Sequence, residues 1–243
     1  MTLLNVDGVI RRFRGIVALD DVSFSVEEGQ IAGIMGANGA GKTTLFSIIA
    51  GNLRPNAGRI IFAGRRIDGL RPEKVSRGGI ARTFQIVRPF GNMTVLENVT
   101  LGVLYGRRRE RSMAAAEARA REILEQMGLA HRAQHVASQL TLAGRKRLEI
   151  ARGLATEPRL LMLDEVLAGL TPAEITGAID LIRTLHRQGN LTILMIEHVT
   201  RALMALCQRI VVLHHGKKLF EGSPEDVVRD PKTVSAYLGA TVS

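Results

Sequence analysis

The sequence predicts an α/β fold: a mostly parallel sheet with helices on both faces, a flanking antiparallel β-subdomain and an inserted helical subdomain. Three observations carry that expectation. Ile31 to Met35 is an apolar run of strand length that leads through Gly36–Thr44 into a helical pattern, Lys42 to Ala50, stopped by Gly51. After residue 140, apolar runs at Leu160–Leu163, Leu191–Ile196 and Ile210–Leu213 alternate with helical stretches. Before Ile31, Leu3–Phe13 and Val22–Val26 read as strands joined by a turn at Arg14-Gly15, so the chain opens antiparallel.

The remaining elements follow in order. Glu28-Gly29 is a turn into the strand before the glycine-rich loop, and Arg59–Phe62 is a strand closed by Gly64. Ile80 to Gln85, after Gly78-Gly79, is a short strand ending in a polar residue. From Arg88 the pattern turns helical: Thr94 and Glu97 form a capping box, and Ser112 caps an Ala-rich helix that stops near Gly128. Residues 86–139 therefore read as a helical subdomain within one 243-residue domain, whose core and β-subdomain are residues 1–85 and 140–243. Leu140–Ala155 reads as a turn and a helix that ends before Pro158. Thr171, Pro172 and Glu174 open a further helix with N-cap, first-turn proline and closing carboxylate. A short helix through Cys207, a hairpin around His215-Gly216, a helix capped by Ser223-Pro224 and a small helix near Tyr237 complete the chain.

Composition bounds the function classes. Apolar residues make up 46% of 243, enough for a core, while 4% aromatics and no Trp point to aliphatic packing. No apolar run approaches the ~20 residues of a membrane-spanning helix. The first seven residues lack the basic lead and apolar stretch of a secretory signal. Cys207 is the single cysteine, which excludes an intrachain disulfide and suits a reducing cytoplasm. A net charge of +10 admits nucleic acid or an anionic membrane face as partner, although scattered arginines also suit a solvated surface. Arg107, Arg108, Arg109 and Arg111 read as a solvated loop. His131, His135 and His186 read as surface residues, and His214-His215 as turn residues.

The segment Gly36-Ala37-Asn38-Gly39-Ala40-Gly41-Lys42-Thr43-Thr44 fits Gly-x-x-x-x-Gly-Lys-Ser/Thr, the phosphate-binding loop (P-loop) of NTPases. Its glycines let the backbone curl so that successive N–H groups face one anion, and the helix N-terminus behind adds its positive dipole end. Lys42 reaches toward β- and γ-phosphates, and the Thr43 hydroxyl suits Mg²⁺; Thr44 is either a second phosphate donor or a helix-packing residue. Phe13 either stacks on an adenine ring or packs under an edge strand.

Binding a phosphate is not hydrolysing it, which needs the metal held, a water aimed in line and its proton accepted. Asp164 ends an apolar strand, where an unpaired carboxylate is costly to bury unless it pairs with Mg²⁺. Glu165 falls on the other face of an extended chain, placed to serve as general base. A strand-end carboxylate pair that bonds helix N-termini is the alternative for both. Gln85 and His198 also end strands, at the sheet edge where ligands collect in open α/β folds. Gln85 offers an amide oxygen to Mg²⁺ or the attacking water; His198 offers a donor to the γ-phosphate, or is simply a satisfied hydrogen bonder.

These residues in this order resemble the ATP-binding-cassette (ABC) transporter ATPases along essentially the whole chain. The resemblance implies ATP and Mg²⁺ as cofactors, Phe13 at the adenine, Gln85 sensing Mg²⁺ and the membrane partner, Asp164 as metal carboxylate, Glu165 as base and His198 as γ-phosphate switch. It implies that residues 86–139 dock on a transmembrane permease subunit at the cytoplasmic face of the inner membrane. Arg82-Thr83-Phe84-Gln85, Met93–Asn98, Arg147–Arg152 and Ala236–Gly239 are similar to the ATPase subunits of branched-chain amino-acid importers, which work with an extracytoplasmic substrate-binding protein. A lipid or lipopolysaccharide export ATPase is the alternative within the family. An ABC-type nucleic-acid ATPase is the alternative from another class, and residues 86–139 are too short for the long coiled coil of DNA-repair relatives; no nucleic-acid partner is expected.

Two departures from the family pattern stand out. Its Leu-Ser-Gly-Gly-Gln signature falls on Leu140-Thr141-Leu142-Ala143-Gly144, and the Gly-Leu-Asp after the base on Gly169-Leu170-Thr171. Thr141 keeps the hydroxyl that would reach nucleotide, while Leu142 and Ala143 place side chains where glycines permit close approach. The altered surface is the one offered to a second ATPase subunit, so a heterodimer is expected, with a homodimer as the alternative.

Overall fold

A computed structural model of the chain describes residues 1–83, 89–189 and 191–238. Two compact units divide it, Met1–Val75 with the stretch from Thr192 onward, and Ser76–Leu191.

The first unit begins with β1 (Thr2–Phe13) and β2 (Ile16–Glu27), an antiparallel pair closed at Arg14 and Gly15, both with positive φ. Two such residues form the primed turn whose twist matches that of paired strands. β2 starts six residues before the run Val22–Val26 that sequence patterning picks out, because its outer half alternates weakly. β3 (Ile31–Gly36) is wholly buried and runs into α1 (Lys42–Ile49), which ends where Gly51 turns left-handed. β4 (Ala57–Phe62) pairs with β1, and β5 (Arg65–Arg66) pairs with β4, giving a four-stranded antiparallel sheet in the order β2-β1-β4-β5. α2 (Pro72–Gly78) follows. Neither β5 nor α2 is legible in the sequence: two arginines and a single buried valine carry no apolar period.

The second unit holds β6 (Ile80–Arg82), α3 (Val95–Tyr105), α4 (Met113–Gln126), α5 (Leu142–Ala155), β7 (Leu160–Asp164) and α6 (Pro172–Gly189). β6 and β7 are parallel, and all five residues of β7 are buried, as the apolar run predicts. The capping box of Thr94 and Glu97 is formed: Glu97 N donates to Thr94 Oγ1 at 3.1 Å and Thr94 N donates to Glu97 Oε2 at 2.7 Å. Ser112 caps α4, and Thr171 with Glu174 opens α6. Helix α3 starts at Val95 rather than in the stretch after Arg88, because its cap is Thr94. Arg107, Arg108, Arg109 and Arg111 are exposed, and Arg108 pairs with Glu157 at 2.8 Å.

The chain returns to the first unit with β8 (Thr192–Ile196), α7 (Thr200–Leu206), β9 (Arg209–His214), β10 (Lys217–Gly222), α8 (Pro224–Arg229) and α9 (Pro231–Leu238). β3 lies between β8 and β9, parallel to both, and β10 returns antiparallel to β9. His214 belongs to β9, so only His215 of that pair is a turn residue, with Gly216 beside it at positive φ. His131 and His135 are exposed, whereas His186 is half-buried, with Nδ1 2.9 Å from Leu191 O. No helix among the described residues is long and apolar enough to cross a membrane.

Candidate functional site: a phosphate loop and a buried carboxylate

In the first unit, the loop between β3 and α1 has the conformation its glycines predict. Gly41 sits at φ 101°, and a Cβ there would lie 2.6 Å from Ala18 O. A Cβ on Gly36 would lie 2.6 Å from Leu213 O, so the loop's first residue must also be glycine. The β9–β10 turn supports the loop from behind: Gly216 N donates to Ala40 O and Asp20 N donates to Gly216 O. Ala40 is buried against this support, while Ala37, Asn38 and Gly39 are exposed. Nothing would meet a Cβ on Gly39 within 4 Å.

Lys42 is 4% exposed, and its ammonium donates to Gly36 O at 2.7 Å and Ala37 O at 2.9 Å. These bonds fold the ammonium back onto the loop's own backbone. α1 has no side-chain cap at Gly41, so its first N–H groups are left to a ligand or water. Thr43 is exposed at this end, and Thr44 is half-buried.

Phe13 is 38% exposed at the end of β1, with the Arg11 guanidinium 4.4 Å from its ring centroid. At this end β1 pairs with β2 alone, through Phe13 and Ile16, because its register with β4 ends at Ile10. The same hairpin includes Ala18, whose carbonyl borders Gly41 of the phosphate loop. His198 is exposed just past β8, next to the buried Glu197.

In the second unit, Asp164 ends β7 with its side chain 1% exposed. Its backbone N donates to Thr83 Oγ1 at 3.0 Å. Arg82 Nη2 donates to Asp164 Oδ2 at 2.6 Å, with the arginine side chain 9% exposed. Asp164 Oδ1 is buried and has no hydrogen-bond partner among the described residues. A buried carboxylate oxygen without a partner is rare and costly, and a hard cation or its bound water is what such an atom accepts. The donor set therefore fits Mg²⁺ held through one carboxylate, and no cluster of three His, Cys, Asp or Glu forms a metal cage among the described residues.

Glu165 departs from expectation in backbone geometry. β7 stops at Asp164, and Glu165 takes φ 51°, left-handed rather than extended. Lys146 Nζ donates to its carbonyl at 2.9 Å from the buried face of α5, and the turn closes as Ala168 N donates to the same carbonyl. Such a backbone costs on the order of 1–3 kcal/mol and persists only where its surroundings impose it, most often at functional sites. Sequence reasoning passed over Arg82 and Lys146 as site residues, because charges in strand and helix runs read as solvated. Gln85 lies outside the described residues.

Thr141 is the N-cap of α5, its Oγ1 accepting from Gly144 N at 3.2 Å. Leu142 follows at the helix start, 40% exposed, and a Cβ on Gly169 would lie 3.1 Å from its Cδ2.

Comparison with known proteins agrees with this chemistry. Residues 19–168 match the ABC transporter family. The chain is 39% identical over 249 aligned positions to the high-affinity branched-chain amino acid transport ATP-binding protein LivG of Salmonella typhimurium, covering 98% of each. Its fold matches the ADP conformation of MJ1267, an ATP-binding cassette of an ABC transporter, at TM-score 0.88 and 31% identity over 98% of this chain and 99% of that one. It also matches the dimeric post-hydrolysis cassette MJ0796 bound to ADP and Pi, at TM-score 0.83 and 25% identity over 91% and 99%. With a P-loop NTPase fold, a phosphate loop and that likeness over almost its full length, the chain belongs to the ABC transporter family and is an ATP-hydrolysing cassette.

Proposed function

We propose that this protein is the ATPase motor subunit of a membrane importer for branched-chain or related amino acids, bound peripherally at the cytoplasmic face of the membrane through permease subunits. The observation that carries it is the likeness to LivG over 98% of both chains, joined to a phosphate loop whose lysine bonds the loop's own carbonyls. Residues 86–139 are the segment proposed to dock on the permease, and an extracytoplasmic binding protein delivers cargo on the far side.

In this reading, the backbone from Gly36 and Asn38 through Gly39, Ala40 and Gly41 to Thr44 cradles the phosphates, and Lys42 exchanges its carbonyl acceptors for β- and γ-phosphate oxygens. Phe13 stacks on the adenine. Thr43, Asp164 and Gln85 are the residues that would serve as Mg²⁺ ligands. The metal, when bound, neutralises charge on the phosphoryl group being transferred. Glu165 accepts the proton of the attacking water, and His198 donates to the γ-phosphate.

A second ATPase subunit closes the site. The family surface for that closure is altered here at Leu142, Ala143, Gly144 and Thr171, so we assign the partner to a different chain, giving a heterodimer with unequal sites. The purified chain should then hydrolyse ATP slowly and dimerise weakly; fast, cooperative hydrolysis by the isolated chain would refute the heterodimer. ATP-dependent uptake of radiolabelled leucine into vesicles carrying the permeases and this subunit tests the transport role. Equal uptake without the subunit would refute it.

A further inference from the structure

In the second unit, the loop between α3 and α4 gathers positive charge and exposed apolar surface in one place. Its base is fixed on the end of α5: Arg107 N donates to Thr156 O at 3.1 Å, and Arg107 Nε donates to Glu157 O at 3.1 Å. Gly106 packs so closely there that a Cβ on it would lie 2.7 Å from Thr156 Cα. Beside this base opens a cleft of about 280 Å³, whose lining includes Arg107, Arg108, Arg109 and Arg119 with Glu110 and Glu157. Four arginines against two glutamates give the lining a net charge of +2. Glu157 pairs with Arg108 at 2.8 Å and Glu122 with Arg119 at 2.6 Å, whereas the Arg109 and Arg111 side chains have no ion pair among the described residues. Tyr105, the last residue of α3, is 75% exposed, and Met113, the first of α4, is 57% exposed. Arginines alone suit a solvated surface. Arginines flanked by an exposed tyrosine and an exposed methionine have the make-up of a membrane-water interface, where tyrosine rings sit at headgroup level.

We propose that this loop is a direct contact for anionic phospholipid headgroups. Arg108, Arg109 and Arg111 take lipid phosphates, each guanidinium offering parallel N–H donors to two phosphate oxygens. Tyr105 and Met113 rest in the interfacial layer on either side. A headgroup layer supplies phosphate wherever an exposed side chain reaches, which suits three exposed arginines within four residues of one loop. The contact is additional to attachment through permease subunits and independent of the cargo, so its failure would leave the import reading standing.

Sedimentation of the full-length protein with vesicles tests it, in the absence of any other protein. Vesicles of phosphatidylcholine mixed with phosphatidylglycerol should bind the chain, and vesicles of phosphatidylcholine alone should bind it at least about 100-fold more weakly. Near an anionic surface each arginine contributes about fivefold, so Arg108→Gln, Arg109→Gln and Arg111→Gln together should weaken binding by about 100-fold. Lysine at the same three positions keeps the charge and should hold binding within about fivefold. Because the whole chain is basic, a second triple variant removes equal charge from exposed arginines outside the loop: Arg65→Gln, Arg187→Gln and Arg229→Gln. It should cost less than the roughly fivefold of one contacting charge. Equal loss in the two triple variants would mean attraction by net charge alone and would overturn the proposal. So would failure of the unaltered chain to bind anionic vesicles, a result independent of how any variant folds, which would leave the loop to a protein partner. Glycerol phosphate at constant ionic strength should not release the vesicles; release would mean a cleft for a soluble phosphate and would overturn the lipid assignment.

Discussion

Two helices, α1 after the phosphate loop and α5 after Leu140-Thr141, finish their N-termini in different ways. α1 has Gly41 at its N-cap with no side-chain bond, so the N–H groups of its first turn point at whatever enters the loop. α5 caps one of its first N–H groups with the Thr141 hydroxyl, which accepts from Gly144 N, and the part-exposed Leu142 follows. A helix start leaves up to four N–H groups without intrahelical partners, and an N-cap side chain meets one of them. α1 therefore starts with one donor more left open than α5 does.

Several experiments would break or sharpen this contrast. The largest effect is expected from Glu165→Gln, which should lower ATP turnover by roughly 10²–10⁴-fold with ATP binding retained; unchanged turnover would remove Glu165 as base. Lys42→Ala should weaken ATP binding by about 10- to 100-fold in calorimetry, since a hydrogen bond to a charged group contributes about 1.5–3 kcal/mol. Gly41→Ala forces a side chain into φ 101° and onto Ala18 O, and should cost about 1–3 kcal/mol in urea unfolding. Thr141→Ala should cost about 1 kcal/mol by the same measure, the ordinary value of an N-cap, because α5 holds its own donor. Gly41→Ala should also impair ATP binding; if it disturbed stability no more than Thr141→Ala, the contrast between the two helix starts would fail.

The smallest effect concerns chemistry away from both loops. Cys207 is buried, and desolvation pushes its thiol up to about 12. Iodoacetamide at pH 8 should label it only after denaturation, because the thiolate is the reactive form.

The phosphate loop, the helix caps and the buried strands were legible in the sequence for a shared reason. Each depends on a few residues close along the chain: glycine spacing, Thr94 with Glu97, Thr171 with Glu174, or four apolar residues in a row at Leu160–Leu163. The pairing of Arg82 with Asp164 spans 82 positions, and no local rule joins a charged residue of one strand to the end of another. The turn of Glu165 into left-handed backbone was hidden similarly, because Lys146, nineteen residues earlier, holds it.

By itself the sequence determined the chemistry on offer: a cradle for phosphate, a carboxylate at a strand end and a base beside it, because residue type and short spacing fix donors, charges and permitted φ. The tertiary structure decided how those groups are held, with Lys42 bonded to carbonyls, Asp164 to Arg82 and the Phe13 ring beneath Arg11. Burial and distance set which charges meet, and both arise only when segments far apart in sequence pack together.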